Sequence, residues 1–295
     1  LRIGWVVEQA YAEMLERVAP FAAVIPVRMQ RWRRQPFARE TRHEMAAAVR
    51  AMRGFTRGGA ALDLQGLIKS SLLTLLSGAG ERFGFAAPYI RERAAGLFLN
   101  RKLNIDPAGH VVEWNLDLAS GVAGKPLPLP DVDYAPFASS PGRLDPAIAV
   151  SRPILLAPGA GQARKQWPVG RFAALARRIT DRGLPVMVVW GPGEECLARA
   201  IAERVPAVTM APPTSLAELA WLLRQARLLV AGDTGPLHLA DALRTPVIGL
   251  YGPTDPARNG PFRQRIHCIE SWTGGKTMDE IEVGPVFEEL VKVVE

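Results

Sequence analysis

Residues 153–251 hold five short apolar runs separated by helical patterns, and this alternation leaves few folds open. The runs are "PILLAP" (153–158), "LPVMVVW" (184–190), "AVTM" (207–210), "RLLVA" (227–231) and "PVIGLY" (246–251). Runs this short and this apolar fit strands buried on both faces, which is the condition of a parallel sheet covered by helices. The segments between them carry helix punctuation. Pro168 stands near one start and Gly183 at that helix's end, and Ser215 with Glu218 spells a capping box before "LAELAWLLRQA". The spacing therefore predicts βαβ units and a Rossmann-like domain.

In an open parallel sheet, ligands bind beyond the carboxyl ends of the strands. The loops at that edge are "GAGQARKQWP", "GPGEE", "APPTS", "GDTGP" and "GPTDP", and all but "APPTS" hold an ionisable side chain. Loops at the other edge, such as "TDRG" and "LRT", are plain. In "GDTGPLHLADAL", Gly232 and Gly235 allow a tight turn and close approach of a ligand. Pro236 suits the first helical position, where free N–H groups and the helix dipole favour a phosphate. Asp233 and Thr234 can bond sugar hydroxyls, and His238 lies in the first turn of the same helix. A single histidine is more often a half-buried packing residue; the loop around this one favours a site. Lys165, one of only six lysines, is placed as a point charge for a diphosphate.

The first half has a looser version of the same pattern. "IGWVVE" (3–8), "AAVIPV" (22–27) and "AALDLQ" (60–65) predict strands, and 43–53 and 67–76 predict helices. The Pro-rich stretch "GKPLPLPDVDYAPFASSPGRLDPAIAVSRP" predicts a linker, so the expected domains are 1–148 and 149–295. The opening "LRIGWVVE" reads as a strand already inside a fold. The expectation is that a strand, loop and helix precede Leu1, a few tens of residues in all.

The chain has 295 residues, and no apolar run approaches the ~18 needed to span a bilayer. Its two cysteines form no disulfide framework. Net charge is +7, with Arg28, Arg31, Arg33, Arg34, Arg39 and Arg42 opposed only by Glu40 within 28–42. That cluster suits an anionic partner. "GAGQAR" lacks the third glycine and later acid of a nicotinamide-binding fingerprint, and there is no Walker A loop. The histidines and cysteines have no metal-ligand spacing, and "DVD" (131–133) lies in the Pro-rich linker rather than after a buried strand. No nucleic-acid-binding motif accompanies the arginines.

Together, "GDTGPLHLADALRTPVIGLYGPTDP", "PGAG" followed by "KQWP", "WGPGEE", "LDLQGLIKSSLL", "LFLNRK" and the arginine cluster resemble glycosyltransferase family 9, the ADP-heptose:lipopolysaccharide heptosyltransferases. The first-half motifs are similar to those of members that add the first heptose to Kdo on lipid A. The resemblance implies an α/β GT-B fold, two Rossmann-like domains facing across a cleft, with the acceptor held by the first and the nucleotide sugar by the second. It implies an inverting transfer of heptose from ADP-heptose, with no cofactor and no metal, at the cytoplasmic face of the inner membrane by a peripheral protein. By the same resemblance Lys165 would contact the diphosphate and stabilise the leaving group, and Glu194 would contact the nucleoside. Asp233, Thr234, Gly235 and His238 would cradle the diphosphate and heptose, with Ala160, Gly161 and Thr214 completing the donor site. Arg31, Arg33, Arg34, Lys69 and Arg101 would meet the acidic acceptor. The resemblance departs at two points. Ala160 and Gly161 stand where a Thr-Thr pair is common, leaving backbone N–H groups for that task. The family's catalytic base, an Asp in a Gly-Asp loop, is expected upstream of Leu1. Two other classes weighed against this are a GT-B epimerase, disfavoured by the basic acceptor stretch, and a non-catalytic module binding sugar nucleotides. Another family 9 transferase with a different donor or acceptor is the nearest alternative.

Overall fold

The computed structural model describes residues 2–18, 21–271 and 275–295. Contacts divide the chain into two compact units, Leu1–Val132 and Asp133–Glu295. Each is a parallel α/β unit of the kind expected for one half of a GT-B protein.

In the first unit, β1 (Gly4–Glu8) pairs in parallel with β2 (Ala23–Val27). A second sheet has the order β3 (Ala60–Leu62), β4 (Glu81–Phe85), β5 (Arg101–Leu103), also parallel. The strand predicted over 60–65 stops at Leu62 because Asp63 turns the chain. Its buried carboxylate accepts the N–H groups of Gln65 and Gly66 at 2.9 and 3.2 Å and the Ser71 hydroxyl. Strands β4 and β5 were not legible as apolar runs. "ERFGF" carries two charges and a glycine, and Gly84 is there because a Cβ would lie 2.4 Å from the Leu99 side chain. Helices Arg39–Phe55 and Ile68–Leu76 pack together over this unit, at the positions their patterns predict.

Among the described residues, the second unit is built on one six-stranded parallel sheet. Its order is β11 (Cys268–Glu270), β10 (Val247–Tyr251), β9 (Leu228–Gly232), β6 (Ile154–Ala157), β7 (Val186–Val188), β8 (Thr209–Met210). The chain leaves β6 toward β7 and β8, then returns to the other side of β6 for β9, β10 and β11. The order of construction therefore reverses between β6 and β9, where Leu156 pairs with Val230 and Ala157 with Ala231. Every residue of β6, β9 and β10 is buried, as the continuous apolar runs require. Ile154, Leu156, Leu228, Val230, Ile248 and Leu250 form a core with Phe172, Leu175 and Ile179 of helix Val169–Thr180 and with Val286 and Leu290 of helix Val283–Val294.

The division by contacts falls at Val132/Asp133 rather than at the end of the Pro-rich stretch. Residues after 132 are bonded to the second unit. Arg143 donates through its backbone N–H and its guanidinium to Glu218, at 2.9 Å and 3.2 Å, and Ala138 O accepts from Arg224 at 3.5 Å. Gly142 is left-handed (φ 56°), and a Cβ there would press on the Glu218 carboxylate. Asp133 of "DVD" caps its own turn, accepting the Ala135 N–H at 2.8 Å.

Candidate functional site

The carboxyl ends of β6, β7, β9 and β10 all open at one edge of the second sheet, and the reversal between β6 and β9 lies at their centre. A crevice at such a reversal is where open α/β sheets bind ligands. The side chains delivered there are Lys165, from the turn Ala163–Lys165 after β6, and Asp233, the first residue after β9. Lys165 Nζ donates to Asp233 Oδ2 at 2.6 Å, and His238 Nε2 lies 3.2 Å from Asp233 Oδ1. The Lys165 and Asp233 side chains are 21% and 11% exposed, so the pair is largely sheltered from water. Burial on its own would raise the Asp233 carboxyl. The hydrogen bonds and positive charges of His238 and Lys165 outweigh it and hold this group at about 2. Asp233 is thus an anion at neutral pH, balancing Lys165 and orienting His238.

Local sequence explains the geometry. Gly232 lets the Lys165 backbone cross β9 closely, since a Cβ there would lie 3.0 Å from the Lys165 carbonyl oxygen. Thr234 is the extended N-cap of helix Gly235–Ala242, and its hydroxyl donates to Gly232 O at 3.2 Å. Pro236 occupies the first turn, so the positive end of this helix faces the same edge as Lys165. A Cβ on Gly161 or Gly235 would meet nothing, so the space above both residues is open.

Glu194 belongs to the same edge. Its carboxylate accepts the Gly191 N–H at 2.9 Å and lies against Gly159, where a Cβ would sit 2.0 Å from the carboxylate carbon. The glycine of "PGAG" is therefore a seat for the glutamate of "WGPGEE". Ala160 is half-buried beside it, and its carbonyl accepts from Gln166 at 3.5 Å. Thr214 is half-buried in the loop after β8, at the far margin of the sheet. Among the described residues, no hydrogen bond joins it to the other candidates. The Ser215–Glu218 capping box beside it forms as predicted.

In the first unit, Arg31, Arg33 and Arg34 share helix Met29–Arg34. Arg31 is ion-paired with Glu44 at 3.1 Å, while Arg33 and Arg34 are exposed. Lys69 is exposed in the first turn of helix Ile68–Leu76, and Arg101 is paired with Glu81 at 2.9 Å. Sequence reasoning missed Glu44, the group that sets Arg31; the signal was one acid thirteen residues downstream, with no local pattern to mark it.

Among the described residues no cluster of His, Cys, Asp or Glu could hold a metal ion. Burial pushes the Cys268 thiol up to about 12, which leaves it unreactive at neutral pH. The arrangement at the β6/β9 reversal is one sheltered cation, an anion that orients a histidine, a helix N-terminus and an open glycine floor. That set can bind a diphosphate and hydroxyl groups.

Comparison with known proteins identifies the family. The lipopolysaccharide heptosyltransferase 1 of Salmonella typhimurium is 34% identical over 270 residues, spanning 91% of this chain and 84% of that protein. The Pseudomonas aeruginosa protein of the same name is 31% identical, over 90% of this chain and 75% of its own. The solved structure of the E. coli heptosyltransferase WaaC with ADP matches with a TM-score of 0.81 at 29% identity, covering 99% of this chain and 90% of that one. Residues 49–282 match glycosyltransferase family 9 (heptosyltransferase), and the chain belongs to that family.

Proposed function

We propose that this enzyme transfers heptose from ADP-heptose, with inversion at the anomeric carbon, to a Kdo-lipid A acceptor in the assembly of the lipopolysaccharide inner core. The observation that carries the reading is the meeting of Lys165, Asp233 and His238 at the β6/β9 reversal, beside the N-terminus of helix Gly235–Ala242. It is supported by relatives named for heptosyl transfer and by a similar structure that holds ADP.

In this reading the diphosphate lies between Lys165 and the 233–238 turn. The acceptor hydroxyl oxygen bonds the anomeric carbon and gives its proton to a general base, the Asp that the resemblance expects upstream of Leu1, while the bond to ADP breaks and places negative charge on the departing ADP. Lys165 and the helix N-terminus, fixed before the reaction begins, stabilise that charge in a sheltered site, where preorganised electrostatics supplies much of the rate enhancement of many enzymes. Asp233 cannot serve as the acid, since it is already ionised; it bonds sugar hydroxyls and releases part of its hold on Lys165 when the diphosphate arrives. Glu194, seated on Gly159, takes the nucleoside end. Ala160 and Gly161 offer backbone N–H groups and open space, and Thr214 lines the outer margin.

The acceptor is placed on the first unit, where Arg31, Arg33, Arg34, Lys69 and Arg101 meet its Kdo carboxylates and lipid A phosphates. Donor and acceptor need no further cofactor. The acceptor is a lipid, and no helix among the described residues is long and apolar enough to cross a membrane. We place the enzyme peripherally on the cytoplasmic face of the inner membrane.

The test is direct. Full-length protein incubated with ADP-heptose and Kdo-lipid A should release ADP and add one heptose to the acceptor by mass. ADP-glucose and ADP-ribose should be poor donors. Transfer of another sugar in preference, or donor hydrolysis with no heptosylated lipid, would overturn the assignment.

A further inference from the structure

The two helices Met29–Arg34 and Arg39–Phe55 are tied together through one carboxylate. Glu44 accepts from Trp32 Nε1 at 3.2 Å and from the guanidinium groups of Arg28 and Arg31, each at 3.1 Å. Trp32 is buried in the core formed by Ile25, Val27, Ala48 and Met52. The elbow between the helices, residues 35–38, is therefore held on both sides rather than loose.

At that elbow stands Phe37, 89% exposed, the most exposed large apolar side chain of the described residues. Arg33, Arg34, Arg39 and Arg42 are also exposed, and among the described residues they form no ion pair. Glu40 is the only acid within 28–42. Glu44 offsets one of the two charges of Arg28 and Arg31, whereas the arginines that flank Phe37 in sequence keep theirs in full. An exposed aromatic ring flanked in sequence by exposed arginines with no ion pair among the described residues has the composition of an interfacial anchor. The ring enters the boundary between headgroups and acyl chains, and the guanidinium groups take lipid phosphates in two-pronged hydrogen bonds.

We propose that the 35–38 elbow is a membrane-docking point, with Phe37 inserted into the interface of an anionic bilayer and Arg39 and Arg42 paired with headgroup phosphates, which leaves Arg33 and Arg34 to the acceptor. Its use in catalysis rests on the reading of the acceptor as a lipid: docking here would bring the arginine cluster to the layer in which the acceptor's phosphates lie.

Vesicle sedimentation tests it with acceptor-free lipid. Wild-type protein should pellet with phosphatidylglycerol-containing vesicles, should remain in solution with pure phosphatidylcholine vesicles, and should be released by high salt. Phe37→Ser should lower partitioning by about tenfold or more, the loss expected for one buried aromatic ring. Phe37→Trp should keep binding and gain a blue-shifted emission on anionic vesicles only. Phe37→Ser pelleting as wild type, equal wild-type binding to neutral vesicles, or a Phe37-dependent dimer without lipid would each overturn the proposal. Turnover separates the two readings. Phe37→Ser should act normally on an acceptor stripped of its acyl chains and show a raised KM on the same acceptor in vesicles. If wild type turns over neither acceptor, the functional reading falls, and the vesicle result still decides the docking point.

Discussion

Gly159 and Glu194 are a pair that only the folded chain reveals. The glutamate has room for its carboxylate because residue 159 lacks a side chain, and the same carboxylate is fixed by the Gly191 N–H. Replacing Gly159 by Ala would put a methyl group 2.0 Å from that carboxylate carbon, so Glu194 must move. If Glu194 bonds the nucleoside, Gly159→Ala and Glu194→Ala should each weaken ADP binding about tenfold, the scale of one charged hydrogen bond. The double variant should be little worse than either single one, because both remove the same contact. Pyrophosphate affinity should stay near wild type. Additive losses, or an unaltered ADP affinity in Gly159→Ala, would separate Glu194 from the nucleoside. The resemblance could suggest Glu194, but nothing in the spelling of "PGAG" says that its first glycine exists to seat a side chain thirty-five residues away.

Among the elements, the helix Leu216–Gln225 shows how a local signal acquires a distant purpose. Ser215 and Glu218 were legible as a capping box, and they form one. The sequence pattern could not say that Glu218 also receives Arg143 from the Pro-rich stretch, since that bond joins residues 75 positions apart. The Arg143 hydrogen bond first, then the Ser215 and Arg143 backbone N–H groups, hold the Glu218 carboxyl down at about 2, against burial that would raise it. The pair therefore contributes stability that is fully present above the ordinary glutamate range and is lost as pH falls from there toward about 2. Thermal unfolding should show it. Between about pH 5 and pH 3, Glu218→Gln should lose less Tm than wild type, having no carboxylate left to protonate, although its Tm at pH 7 should be lower. Parallel Tm curves for the two proteins would mean that the bond carries no folding energy. The strands tell the same story in reverse. Those of the second unit were legible because every residue of β6, β9 and β10 is buried and apolar. Strands β4 and β5 of the first unit were not, because Glu81, Arg82, Arg101 and Lys102 break the apolar run with charge and Gly84 yields its space to Leu99.

Across the whole molecule, the candidate donor site is a consequence of topology. Lys165 and Asp233 are 68 residues apart, and no motif search pairs them. A parallel sheet pairs them by putting every strand exit on one edge, and the reversal between β6 and β9 puts these two exits side by side. That much could be expected from the alternation of runs and loops. The partner of each group could not. The structure adds that Asp233 is already bonded to Lys165 and His238, that Arg31 is committed to Glu44, and that Thr214 stands at the sheet margin. The central claim is that the lysine at this reversal holds the donor's diphosphate. Isothermal titration of ADP into wild-type and Lys165→Ala protein tests it without any acceptor or membrane. Loss of a charged hydrogen bond in a sheltered site should raise Kd by about 10- to 100-fold, with the unfolding Tm kept within a few degrees. An ADP Kd in Lys165→Ala equal to that of wild type would contradict the account and remove the diphosphate from the β6/β9 reversal.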